Sequence, residues 1–372
     1  MKKVLKIEGI NCRRSAENRF NKVLFFVIGF MLLVFQSGCD PCCTDCGSSG
    51  NDEFDVFFTV LPKYLSEPTI FASKWDGSNI TEIKKNALLF SSPTEEGEYV
   101  FLRDVQGSED RIILSQVNTA NEVTVVENIQ AIYGGINFPV LSPAGESVAF
   151  LAGNNSLYLA KDPGSSVDEI ITFYAADNFL PTYSPGGGMI AFFEKLQNEL
   201  RLVVVDAVNT SREIINKKID FSPEELIGEL YPAWSSDGSS VCIGLTTENR
   251  GQIMIMGMNS SEKTVDIDSL GAITPVISPV DHERIAFSSR NGDIWVVDLA
   301  DGERFENLIE SRENESNLFP KWSPDGTKLI FNNFFILDDK QEGATLKIYD
   351  FVTERSLVLS NNVHRAFWQS KK

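Results

Sequence analysis

Phe319-Pro320-Lys321-Trp322-Ser323-Pro324-Asp325-Gly326-Thr327-Lys328-Leu329-Ile330-Phe331-Asn332-Asn333 reads as two short strands around a tight turn. Pro324 presets φ for the second position of a turn. Asp325 can accept bonds from backbone N–H groups, and Gly326 tolerates positive φ. Leu329-Ile330-Phe331 is apolar and partly branched, as a strand packed between two sheets should be. Pro320 lacks an N–H and suits the start of a strand, and Trp322 is the large apolar residue before the turn.

Degraded copies recur around the turn residues Ser92, Ser142, Ser184, Ser235 and Ser278, and the steps from Ser92 to Ser323 are 50, 42, 51, 43 and 45 residues. Each turn is followed by an apolar triplet: Tyr99-Val100-Phe101, Val148-Ala149-Phe150, Ile190-Ala191-Phe192, Val241-Cys242-Ile243, Ile285-Ala286-Phe287 and Leu329-Ile330-Phe331. A period of about 40–50 residues built only of strands is the signature of propeller blades. The expected fold is all-β, a single β-propeller of four-stranded blades.

The pattern Pro-x-Trp-Ser-Pro-Asp-Gly-x-x-Ile-x-Phe resembles the blade repeat of TolB-type propellers. The same repeat occurs in the non-catalytic propellers of prolyl oligopeptidase relatives. The resemblance covers about Phe54 to Trp368 and is strongest at Ser323 and Ser235 and weakest at Ser92. Ala144-Gly145, Gly186-Gly187 and Val280-Asp281 depart from Asp-Gly. The N-terminal strands (Asp55–Val60, Thr69–Ser73 and Ile80–Ile83) lack an inner partner, while Val363–Trp368 is an inner-type strand without companions. Pairing the two chain ends into one composite blade leaves no open edge at the seam. That gives seven blades. The alternative is six, as in TolB itself.

The formal charge is −19, and residues 1–38 carry seven Lys/Arg against two Asp/Glu, so the remainder stands at −24. So acidic a body argues against nucleic-acid binding through phosphates. Val23–Phe35 is a thirteen-residue apolar run preceded by Arg13, Arg14, Arg19 and Lys22 and followed by Ser37-Gly38-Cys39. The run is too short for a comfortable membrane span and fits a signal-peptide core. With Gly38 and Cys39 it resembles the lipobox of bacterial lipoproteins, although Gln36 departs from that pattern. The resemblance implies a signal peptide over 1–38, lipid attached at Cys39, a Cys-rich flexible tether over 39–53 and a propeller over 54–370. Simple secretion and an uncleaved anchor are the alternatives. Cys39, Cys42, Cys43 and Cys46 have the spacing of a metal knuckle, but an acylated Cys39 leaves three thiols, too few for a four-Cys site.

The chain has two His residues, His282 and His364, and no Gly-x-Ser-x-Gly elbow. A His-rich metal site is therefore excluded, and a Ser-His-Asp triad would have to use one of these two. Asp338–Gly343 could gather round calcium but lacks the alternating ligands of a binding loop, so no cofactor is expected. Function in propellers lives in loops around the channel. The candidates for polar groups at its mouth are Asn137, Asn178, Glu229, Asn317 and His364. The expected function is a non-catalytic scaffold in the bacterial cell envelope, facing the periplasm or the exterior. It would be membrane-anchored through its lipid and would dock an envelope protein or peptide. The alternative is a glycan-binding or glycan-cleaving propeller using channel carboxylates.

Overall fold

The computed structural model describes residues 54–370 except 62–66, 104–110, 118, 120, 128–135, 153–155, 162–166, 173–179, 197–198, 223–224, 229, 301 and 338–340. The expectations for the first 53 residues, including Cys39 and the tether, lie outside it. The described residues contain no helix and form seven four-stranded antiparallel sheets. The first blade is Leu88–Leu89, Glu98–Arg103, Arg111–Gln116 and Glu122–Val126. The second is Ile136–Leu141, Ser147–Ala152, Ser156–Lys161 and Val167–Thr172. The third is Thr182–Tyr183, Met189–Leu196, Glu199–Asp206 and Glu213–Ile219. The fourth is Ala233–Trp234, Ser240–Thr246, Gly251–Gly257 and Glu262–Asp266. The fifth is Ile273–Ile277, Arg284–Ser288, Ile294–Asp298 and Arg304–Ile309. The sixth is Glu315–Trp322, Lys328–Leu337, Gln341–Asp350 and Arg355–Asn361.

The seventh blade joins the chain ends, as the unpaired terminal strands required. Val363–Trp368 is its inner strand, and Val56–Val60, Thr69–Ser73 and Thr81–Lys85 follow. Val56 lies opposite Trp368, Phe57 opposite Phe367 and Phe58 opposite Ala366. Phe57 packs toward the first blade with Leu89 and Phe101, while Phe58 packs toward the sixth with Ile330 and Ile348. Adjacent side chains point to opposite faces of a strand, so one strand seals two blade interfaces. The core therefore lies between blades. Phe58, Phe101, Phe150, Phe192, Phe287 and Phe331, fully buried, are the final Phe of the repeat.

The turn has the geometry its residues require. In the second, third, fourth and sixth blades, the N–H groups of Gly145, Gly187, Gly238 and Gly326 donate to the carbonyls of Ser142, Ser184, Ser235 and Ser323 at 2.8–2.9 Å. These glycines have φ between 67° and 76°, a turn ending in a left-handed residue. The Ser side chain does a second job: Ser323 Oγ accepts from Lys328 N at 2.9 Å and donates to Asp325 Oδ1 at 2.5 Å. Ser235 repeats this with Ser240 N and Asp237.

Two copies differ from the sequence alignment. In the first blade the turn is Thr94–Gly97, two residues later than Ser92. Gly97 N donates to Thr94 O and Glu98 N to Thr94 Oγ1, both at 3.0 Å. Threonine supplies the same hydroxyl as serine, so the alignment on Ser92-Pro93 was misled by its proline. The fifth blade, without the glycine, uses a longer loop in which Arg284 N donates to Asp281 O. Near Pro223, Glu225 N donates to Ser222 O, an isolated turn.

Candidate functional site: the central channel

Three of the repeat's Trp residues staple neighbouring blades. Trp234 Nε1 donates to Thr182 O at 3.3 Å, Trp322 Nε1 to Val276 O at 3.1 Å and Trp368 Nε1 to Lys321 O at 2.9 Å. Each indole reaches the carbonyl of the x residue of Pro-x-Trp on the preceding blade. In the third blade Tyr183 holds the Trp position and bonds Ser147 Oγ through its hydroxyl at 2.9 Å.

The x residue itself has another fate. Val140, Thr182, Ala233, Val276, Lys321 and Phe367 occupy it, each opposite the middle residue of the next strand's apolar segment. All six line a cavity of about 360 Å³ on the propeller axis, and Phe90 of the first blade joins them. Two residues earlier, alternation returns side chains to the same face, and Leu180, Tyr231, Phe319 and Arg365 also line it. The prolines between these layers sit where the inner strands break register, between Asn137 and Val140, Ile273 and Val276, and Leu318 and Lys321. A missing N–H is tolerated at such bulges. Phe319, before Pro320, has φ of 59°, a conformation costing a bulky residue roughly 1–3 kcal/mol and tending to cluster at ligand sites.

Lys321 and Arg365 are the ionisable cations among the described lining residues, and no described carboxylate lines the cavity. Both are held in place. Lys321 Nζ donates to Ala366 O at 2.8 Å and lies 3.3 Å from the Phe367 ring centroid. The Arg365 guanidinium lies 5.7 Å from the Phe90 ring and 5.9 Å from the Phe319 ring. Aromatic faces favour cations there.

Of the five residues expected at the channel mouth, Asn178 and Glu229 lie outside the described residues, and Asn137 is described only as part of its strand. Asn317 is 1% exposed, and its Oδ1 accepts from Asn333 Nδ2 at 2.9 Å inside the sixth blade. His364 lies within the closing strand, half-buried, its Nδ1 enclosed with no hydrogen-bond partner among the described residues. Burial pushes its pKa down to about 3, and the Arg365 charge adds to the shift. It is therefore neutral near pH 7. Asn317 and His364 are absent from the described cavity lining. The better signal was in the repeat itself: in the second to sixth blades the x position changes character from blade to blade while its neighbours stay Pro and a large aromatic or aliphatic residue.

Away from the channel, Ser236 Oγ lies 2.7 Å from His282 Nε2, and His282 Nδ1 lies 3.7 Å from Asp237 Oδ2. The residue types match a hydrolytic triad, but the proton order does not. The Ser236 hydroxyl donates to Pro279 O at 2.7 Å, so its one proton is committed and Nε2 must donate to it. This is a latch between two exposed turns. Cys242 is fully buried, and burial pushes its thiol far above the ordinary range, as befits an inert core thiol. Among the described residues no cluster of His, Cys, Asp and Glu could hold a metal.

No protein-family model matches the chain, and no curated protein does. Solved structures do. A protein from Lactobacillus plantarum is 9% identical, with 85% of this chain and 99% of that one covered and a TM-score of 0.56. An oligogalacturonate lyase from Vibrio parahaemolyticus is 12% identical, with 82% and 86% covered and a TM-score of 0.54. TolB from Acinetobacter baumannii is 15% identical, with 82% and 79% covered and a TM-score of 0.48. At such identities the likeness shows the fold and leaves the ligand to be argued from the channel.

Proposed function

We propose that this protein is a non-catalytic binding propeller that docks a protein or peptide segment in its central channel. In this reading Cys39 carries a lipid, and the propeller hangs from a bacterial envelope membrane by residues 39–53. One observation carries the docking reading: the channel is lined by the repeat's variable position. Sites grafted on a common fold are specified by the residues that the fold leaves free. The resemblance of the repeat to TolB-type propellers, which work in envelope complexes, supports the location. A glycan-cleaving site with paired carboxylates would need two carboxyl groups facing each other about 5–10 Å apart. The described lining residues offer aromatic and aliphatic groups and two cations instead.

The experiment is an affinity capture with crosslinking from native envelope membranes, comparing wild type with Cys39→Ser. The expected result is acyl mass on the wild type, membrane fractionation and one dominant protein partner crosslinked to channel residues, with the variant turning soluble. An unmodified Cys39 would remove the lipid anchor. Absence of any enriched protein would remove the docking function.

A further inference from the structure

Resting on the reading of Cys39 as a lipid anchor, we infer that the outer edge shared by the sixth and seventh blades is a second membrane contact. It seats Trp75, Val352, Leu357 and Val358 in the interface of the bilayer that holds the lipid. These four side chains are 40%, 78%, 39% and 53% exposed. Printed contacts join them across the blade boundary. Trp75 stands in the loop between Thr69–Ser73 and Thr81–Lys85, and Lys328 of the sixth blade places its Nζ 4.4 Å from the ring centroid. Lys328 Nζ lies 3.8 Å from Asp350 Oδ2, and Val352 N, in the matching loop of the sixth blade, donates to Asp350 Oδ1 at 2.8 Å. Leu357 and Val358 belong to the outer strand that follows this loop. A Cβ on Gly77, two residues after Trp75, would sit 3.5 Å from Leu359 Cδ1 of that strand.

The outer strand is unusual for an edge. Such strands ordinarily carry charge that discourages pairing, and Thr81–Lys85, Glu213–Ile219 and Glu262–Asp266 each carry three charged residues. Ser356–Ser360 carries none. Exposed apolar groups gathered in one place mark an interaction surface.

The point where the described chain begins selects a lipid surface as the occupant. Phe54 is its first residue, and the Asp55 carboxylate accepts from Trp75 N at 3.1 Å. The segment leading from Cys39 therefore meets the propeller beside the patch. Residues 39–53 number fifteen. A chain of that length spans at most about 50 Å, so a lipid at Cys39 keeps this edge close to the bilayer at high effective concentration. Weak apolar contacts are then enough to fix the orientation. Tryptophan suits the headgroup level, with an apolar ring and a polar N–H. Charge agrees with the placement. The body beyond residue 38 stands at −24, and anionic lipid repels it. At this edge Lys74, Lys328 and Arg355 stand against Asp55, Asp76, Asp350 and Glu354, close to balance.

The test uses the protein expressed from its full chain, recovered from membranes, with its mass read at Cys39. It is placed on vesicles of phosphatidylethanolamine and phosphatidylglycerol, with or without bromine on the acyl chains, which quenches tryptophan on contact. Brominated lipid should dim the wild type, and Trp75→Phe should abolish the difference. Val352→Asp with Val358→Asp should reduce the quenching at least about threefold, while melting curves check that the variants fold. The wild-type result stands even if they do not. Quenching should survive high salt, because the contact is apolar. Equal emission on the two kinds of vesicle, or quenching that Trp75→Phe leaves intact, overturns the inference. So does quenching that salt removes, which would mean attachment by charge alone. A photo-crosslinker at Val358 that captures a second copy or another protein rather than lipid overturns it in favour of a protein interface. The anchor and the edge fail separately. An acylated Cys39 with Trp75 unquenched keeps the anchor and sinks the edge contact. An unmodified Cys39 with Trp75 still quenched sinks the anchor and keeps the contact.

Discussion

Trp322 and Lys321 are neighbours in sequence and opposites in role. The Trp position packs between blades, bonds the previous blade where it is Trp or Tyr, and is filled by Trp, Tyr, Leu or Ile in the copies of the second to seventh blades. The x position, one residue earlier, faces the axis and holds Val, Thr, Ala, Val, Lys or Phe. Strand alternation turns them to opposite faces, although Leu141, Tyr183 and Trp234 also reach the cavity with an edge of their side chains. The first position answers to the preceding blade, which is nearly the same at every step around the ring. The second answers to whatever occupies the channel, which has no reason to repeat.

The strongest way to break this comparison is Trp322→Ala. Trp322 is 8% exposed, stacks on Phe351 with centroids 5.0 Å apart and bonds Val276 O. Its loss should cost about 3–5 kcal/mol of stability by denaturant titration. A loss below about 1 kcal/mol would mean the staples are ornamental.

The next effect is acid sensitivity from His364, on the closing strand. Its folded pKa is depressed, to about 3, against roughly 6.5 unfolded. The sign follows: the neutral form is favoured by folding, so its contribution is complete above about pH 6.5 and is lost as pH falls toward 3. Between pH 6.5 and 4.5 wild type should lose up to about 2 kcal/mol more than His364→Gln. Parallel pH profiles of the two proteins would refute the enclosed-imidazole account.

A smaller effect sharpens the turn. Gly326 and Gly302 both have positive φ, 67° and 74°. A Cβ at Gly326 would meet Val280 Cγ2 at 2.5 Å, whereas one at Gly302 meets nothing within 4 Å. Gly302→Ala should cost about 1 kcal/mol for conformation alone, and Gly326→Ala about 1–2 kcal/mol more for the blade-to-blade contact. Equal losses would mean that the turns do not touch. The smallest effect belongs to the channel: Ala233→Ser should change stability by less than about 0.5 kcal/mol. If it destabilised like a core substitution, the channel wall would be packing rather than site.

Much of the fold was legible because propeller blades repeat their own instructions. Ser, Pro, Asp and Gly each have a local reason to be in the turn. The unpaired strands at Val56–Val60 and Val363–Trp368 demanded each other, so the seventh blade followed from counting edges. The first turn was misplaced because Ser92-Pro93 carries a stronger local signal than Thr94–Gly97, and only the hydrogen bonds of the completed hairpin distinguish them.

The channel was less legible. Asn317 was chosen as a polar residue near a strand start, a rule that ignores which way its side chain turns. The bulge at Pro320 shifts the register there, and Asn317 ends inside the blade against Asn333. The sequence by itself determined the blade, its turn and the closure of the ring, because those rest on short-range geometry and on the cost of open strand edges. The tertiary structure alone decided that Lys321 and Arg365, 44 positions apart, share one wall of the axial cavity. That meeting depends on the arc each blade subtends and on two bulges, and no local pattern encodes either.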